Sequence, residues 1–158
     1  MTKRIIALLF ALVVCVFSVM PAFAESELPR LIDNSDVLTD EEETELTEYI
    51  DQVSVAHQFD LVVLIVDDFG TYSAQDYADD FYDYNGYSEN GILLLLSMED
   101  RDWAISTTGT GIPAFTDAGQ EHIMDRILPE LGEDAFYDAF VEFAELCDDF
   151  IRQAQTGE

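Results

Sequence analysis

The chain has 158 residues, with 34 acidic against six basic side chains, a formal net charge of −28 and two cysteines. An excess of that sign repels nucleic acid and anionic lipid headgroups and favours cations or a basic protein partner, while solubility alone explains it equally well. Apolar residues make up 49% of the sequence, which excludes a disordered chain despite the charge and suits one domain around a single core.

Lys3-Arg4 precede an apolar run from Ile5 to Met20, and Pro21 leads into Ala22-Phe23-Ala24, a small-x-small cleavage pattern. Residues 1–24 are therefore expected to be a signal peptide, and the protein to be secreted or held in the cell envelope. Val14 stands where a lipoprotein signal ending at Cys15 needs a small residue. Cleavage near Glu25 leaves four arginines, no lysine and a net charge of −30. Only Cys147 then remains, which excludes an intramolecular disulfide. No later apolar run reaches the length of a bilayer span, so no transmembrane segment is expected after cleavage.

Residues 25–38 read as a lead-in segment, 39–153 as the folded domain and 154–158 as a polar tail. Thr39 and Glu42 have the spacing of a capping box, and Leu46, Tyr49, Ile50 and Val53 repeat at helical spacing to about His57. Asp60 to Val66 is too short for a membrane span and rich in β-branched residues, which predicts a buried strand. Ser73 opens a crossover helix with Tyr77, Ala78, Phe81 and Tyr84 on one side, ending near Asn85-Gly86. Asn90-Gly91 then leads into Ile92-Leu-Leu-Leu-Leu96, and the acidic turn Glu99-Asp100-Arg101-Asp102 returns the chain along Trp103 to Ser106. Strand, helix and strand make a right-handed parallel unit, and the β-hairpin makes the sheet mixed and mostly parallel. The apolar central strands need cover on both faces, so the fold class is α/β. Thr116 starts a further helix with Ile123 and Ile127 inward and Pro129 near its end. Phe136, Phe140, Phe143, Cys147 and Phe150 form one apolar stripe on the last helix, with the spacing of core rather than of a cofactor site.

Absences narrow the chemistry. Without lysine after Arg4, a Walker-type phosphate loop and a Schiff-base mechanism are excluded. No Gly-x-Ser-x-Gly elbow occurs, and His57 and His122 sit in amphipathic helices far apart in sequence, which offers neither a catalytic triad nor a usual zinc set. Carboxylates remain, and hard oxygen ligands suit Ca²⁺ or Mg²⁺, with Ca²⁺ tolerating irregular shells. Ligands of open α/β sheets bind beyond the carboxyl ends of the strands. The first strand ends at Asp67-Asp68 and the second at Glu99-Asp100, so four carboxylates gather at one edge if those strands are neighbours. Asp33 approaches from the lead-in segment. Mutual repulsion there favours a bound cation, and solvated turn acids are the competing reading. At the opposite edge, Asn90-Gly91 and Gly109-Thr-Gly111 come together, either to let a backbone approach a ligand or to supply turn geometry. Arg101 lies within the acidic turn, as an ion-pair partner or an anion clamp.

The order and spacing of Leu31-Ile-Asp33, Val37-Leu38-Thr39, Tyr77-Ala78, Asn90-Gly91-Ile-Leu-Leu-Leu, Asp100-Arg101, Gly109-x-Gly111, Thr116-Asp117-Ala118 and Ile127-Leu-Pro129 resemble the TPM-domain family. The resemblance runs to about Ile151. It implies a three-layer α/β/α sandwich, an envelope-associated module, and either calcium binding or a weak acid phosphatase activity. Many relatives read Gly-Tyr-Gly-Leu-Glu where this chain has Gly109-Thr-Gly-Ile-Pro113, so no function requiring that glutamate is expected. Many bacterial relatives continue into a transmembrane segment and a glycine-rich tail, and membrane tethering of that kind is not expected for this sequence. The expected function is a calcium-binding interaction or assembly module without strong catalysis. The alternative is a metal-assisted acid phosphatase, which a net charge of −30 opposes by repelling phosphoesters.

Overall fold

The computed structural model describes residues 28–157; the expected signal peptide and its cleavage site lie outside the described residues. Four strands form one sheet in the order β1 (Leu31–Asp33), β2 (Asp60–Val66), β3 (Gly91–Ser97) and β4 (Asp102–Thr108). β1 and β2 pair in parallel, as do β2 and β3, whereas β3 and β4 are antiparallel. The sheet is thus mixed and mostly parallel, as its sequence predicts. Five helices accompany it among the described residues: α1 (Asp40–His57), α2 (Ala74–Asn85), α3 (Gly111–Ala114), α4 (Asp117–Gly132) and α5 (Phe136–Thr156).

Every residue of β2 and β3 is buried, which explains why both read as unbroken apolar runs rather than alternating ones. Their pairing matches Leu61 to Ile92, Val63 to Leu94 and Ile65 to Leu96 on one face. That face packs with Leu46, Ile50 and Val53 of α1, Ile123 and Ile127 of α4, and Phe140, Phe143 and Cys147 of α5. The other face, with Val62, Leu64, Leu93 and Leu95, meets Ala78 and Tyr82 of α2. The result is three layers, with three long helices on one side and α2 on the other.

The caps form where the sequence places them. Thr39 and Glu42 complete a reciprocal capping box at α1, Ser73 caps α2, and Thr116 caps α4. Gly86 ends α2 at φ +87°, a left-handed conformation that glycine adopts without steric cost. α4 runs through Pro129 to Gly132, with the proline near its end as the sequence predicts. Three local features depart from the sequence reading. Leu31–Asp33 of the lead-in segment form a strand. Tyr84 is 83% exposed, because the buried stripe of α2 centres on Ala78 and Tyr82, leaving position 84 roughly 140° around the helix from it. α5 runs to Thr156, so most of the polar tail is its last turn.

Candidate functional site at the acidic sheet edge

The carboxyl ends of the three parallel strands meet at one edge. β1 ends on Asp33, Asp67-Asp68 follow β2, and the turn from Met98 to Arg101 follows β3. Pairing continues past the strands, with Met98 N donating to Val66 O at 3.0 Å and Glu99 N to Asp67 O at 2.8 Å. Asp33, Asp67, Asp68, Glu99 and Asp100 are thereby gathered at one end of the sheet.

Their side chains divide into two groups. Asp33 accepts from Ser35 N at 3.1 Å through Oδ1, and from Val37 N at 2.8 Å and Leu38 N at 2.9 Å through Oδ2. It holds the loop that leads to α1. Asp100 Oδ2 accepts from Phe69 N and from Ser97 Oγ, each at 2.9 Å, which fastens the loop after β2 to the hairpin. Asp67, Asp68 and Glu99 are exposed and less committed. Asp67 Oδ1 accepts from Ser35 Oγ at 2.8 Å and Asp68 Oδ1 from Gly70 N at 2.7 Å, and the other oxygen of each, like Asp100 Oδ1, has no partner among the described residues. The Glu99 carboxylate likewise has none.

The donor chemistry, all oxygen, fits a hard cation. The arrangement is less complete: among the described residues, no three acidic, histidine or cysteine side chains stand together so as to hold a metal ion. An ion at this edge would have to draw Asp67, Asp68 and Glu99 together, which their exposed side chains permit.

Arg101 follows Asp100 at φ +51°, on the surface. Arg30, Arg126 and Arg152 all make ion pairs, and Arg101 makes none among the described residues.

At the opposite edge, Asn90 Oδ1 accepts from Thr110 N at 2.9 Å. A Cβ on Gly109, whose φ is +56°, would lie 2.1 Å from Glu89 O, and one on Gly111 would lie 2.4 Å from Gly91 O. A Cβ on Gly91 would meet Tyr82 Oη at 1.7 Å. Protein atoms therefore occupy the space that side chains would take there. Asn90 also lines a cavity of about 490 Å³ with His57, Phe59, Thr110 and Ile151.

Beneath this edge lies an ionic cluster that the sequence reading did not identify. Arg30 donates through Nε to Asp60 Oδ1 at 2.8 Å and through Nη1 to Asp51 Oδ1 at 2.8 Å, while Asp60 Oδ2 accepts from Ser88 N at 2.7 Å. Burial alone would lower the Arg30 pKa, but its bonds and charge interactions with Asp51 and Asp60 raise it overall. Burial and then the nearby Asp60 charge push the Tyr87 hydroxyl up to about 12 and that of Tyr82 higher still. The only signals in the sequence were an acid opening an apolar strand and the scarcity of arginine. Cys147 is fully buried and its pKa is raised by burial, which makes it an inert core thiol.

An α/β sandwich with an acidic edge at the carboxyl ends of its parallel strands defines a fold class rather than a reaction. The sequence profile of the TPM domain matches residues 31–150, and the chain belongs to that family. No curated protein matches it. Three solution structures share the fold. The N-terminal domain of a protein from P. gingivalis is 16% identical, with a TM-score of 0.68 over 77% of this chain and 81% of its own. The N-terminal domain of the cg2496 protein from Corynebacterium glutamicum is 19% identical, with a TM-score of 0.65 over 79% of this chain and 81% of its own. The BA42 protein of the psychrophilic bacterium Bizionia argentinensis is 18% identical, with a TM-score of 0.62 over 77% of this chain and 86% of its own. At these identities the likeness concerns the fold. No helix among the described residues is long and apolar enough to cross a membrane.

Proposed function

We propose that this TPM domain is an exported, non-catalytic interaction module whose acidic sheet edge takes Ca²⁺ and engages a basic protein partner. The observation that carries the reading is the division of labour at the edge. Asp33 spends both oxygens on backbone N–H groups and Asp100 spends Oδ2 on Phe69 N and Ser97 Oγ, so both hold the loops, while Glu99 and one oxygen each of Asp67, Asp68 and Asp100 have no partner among the described residues. Exposed, adjustable oxygens of this kind suit Ca²⁺ with an affinity in the range of about 0.1–1 mM typical of extracellular modules. Asp67, Asp68 and Glu99 would supply ligands, and repulsion among them would be relieved on binding.

Two observations argue against hydrolysis of phosphoesters. Ser97, beside the edge, is 1% exposed, with Oγ already bonded to Asp67 O and Asp100 Oδ2 at 2.9 Å, so it is not placed as a nucleophile. His57 is engaged by Asp148 at 2.5 Å and lines the cavity at the other end of the sheet with Asn90. Hydrolysis of a generic phosphomonoester is therefore expected to stay at background between about pH 5 and 8, with or without Ca²⁺ or Mg²⁺. Turnover that disappears in Asp67→Asn would establish the phosphatase instead. Calorimetric titration with Ca²⁺ in the same buffers should give a single weak site, and no heat beyond dilution would remove the calcium reading.

A further inference from the structure

Beside the acidic edge, between the β3–β4 turn and the end of α4, lies a cavity of about 140 Å³. Its apolar wall includes Trp103, Leu128, Leu131 and Phe136, and Arg101 and Asp134 also line it. These two opposite charges do not pair with each other, and neither side chain has a hydrogen-bond partner among the described residues. Both also hold left-handed backbone conformations, Arg101 at φ +51° and Asp134 at φ +59°, two of only four such non-glycine residues among those described. For arginine that conformation is costly, and such costs persist where a position serves a ligand.

We propose that this cavity binds the zwitterion of a free apolar α-amino acid, with Arg101 taking the carboxylate, Asp134 the ammonium, and the wall around Trp103 the side chain. The size fits, because a cavity of about 150 Å³ holds a benzene-sized body, comparable to a leucine or phenylalanine side chain. Arg101 and Asp134 in the lining carry the two signs of charge that a zwitterion needs. A guanidinium matches a carboxylate fork, and a separated aspartate completes the recognition of an ammonium. The field of the protein sets the choice among ligands. A chain this acidic repels a simple anion, while a zwitterion carries no net charge and enters without that penalty. This site is distinct from the calcium edge and does not depend on it.

Trp103 is the single tryptophan and lines the cavity, so its fluorescence reports occupancy directly. The full chain is titrated with L-leucine up to about 10 mM, which reaches well past millimolar affinity. Saturable change is expected. The isosteric 4-methylpentanoate and 3-methylbutylamine, each lacking one charge, should bind at least about tenfold more weakly, the loss expected for one missing charge-assisted contact. Arg101→Gln and Asp134→Asn should each weaken binding of L-leucine by at least about tenfold, the same loss seen from the protein side. Arg101→Gly should weaken it at least as much while melting higher than the parent, because glycine adopts the left-handed conformation freely. That rise separates lost recognition from lost folding. Absence of saturation with L-leucine overturns the proposal, as does an affinity left unchanged by both charge variants. Equal binding of 4-methylpentanoate would mark a site for apolar anions, and stronger binding of a dipeptide ending in leucine would mark a peptide terminus; either result overturns the free amino acid.

Discussion

Arg30→Met is expected to destabilise the fold by about 3–5 kcal/mol, the cost of leaving a buried charge without its partner. The Asp60 side chain is only 9% exposed, and Arg30 meets its Oδ1 through two nitrogens at 2.8 Å. Without Arg30, the Asp60 carboxylate keeps a single backbone donor, Ser88 N, beside the buried Tyr82 and half-buried Tyr87 phenols. The pair also ties the lead-in segment to β2, since Val63 N donates to Arg30 O at 2.8 Å and β1 begins at the next residue. Arg30→Met/Asp60→Asn should recover part of the loss, because asparagine still accepts from Ser88 N without burying a charge. Urea unfolding of the three proteins decides it. A loss below about 1 kcal/mol in Arg30→Met, the range of exposed pairs, would show the cluster to be dispensable.

Gly91→Ala and Gly111→Ala are expected to cost about 3 kcal/mol or more, in the tail of single-substitution effects. At Gly91 a Cβ would meet Tyr82 Oη at 1.7 Å and Asp60 O at 2.7 Å, and Tyr82 is held by its bond to Ser88 O at 3.0 Å. At Gly111 the obstacle is backbone, Gly91 O at 2.4 Å, which no rotamer change can move. Gly132→Ala is the matched comparison, since nothing lies within 4 Å of its Cβ position at the end of α4. That change should be neutral or stabilising by up to about 1 kcal/mol. Thermal melts showing all three variants equal would mean that the close approaches at β3 do not constrain the fold.

The elements legible in the sequence were those fixed by local rules. β2 and β3 announced themselves as buried apolar runs, α1 by the Thr39–Glu42 box, and the hairpin by its acidic turn. The acidic edge followed from strand direction, because two neighbouring parallel strands must deliver Asp67 and Glu99 to the same end. What stayed hidden was non-local. β1 spans three residues, too few to show an alternation, and exists only by pairing with Val63 to Ile65. The Arg30–Asp60 pair joins positions thirty residues apart. The separation of Asp33 and Asp100 from the freer carboxylates depends on which backbone N–H groups the loops present, and no spacing in the sequence encodes that. Tyr82 and Tyr84 both suit an amphipathic helix, and only the angle at which α2 meets the sheet selects the first.

The most direct measurement is the rise in melting temperature with free Ca²⁺ for the parent, for Asp67→Asn/Asp68→Asn/Glu99→Gln, and for Glu121→Gln/Glu145→Gln on exposed positions of α4 and α5. Glu142 is avoided as a control because it pairs with Arg126. Asp33 and Asp100 are left intact because they hold the loops. At Ca²⁺ about tenfold above its dissociation constant, linkage stabilises the parent by about 1.4 kcal/mol, or roughly 5 °C for a domain of this size. The edge variant should melt slightly higher without Ca²⁺, through relieved repulsion, and show no further rise with it, while the control tracks the parent. An equal Ca²⁺-dependent rise in all three proteins would mean that calcium only screens the overall charge, and would contradict the assignment of a cation site to the sheet edge.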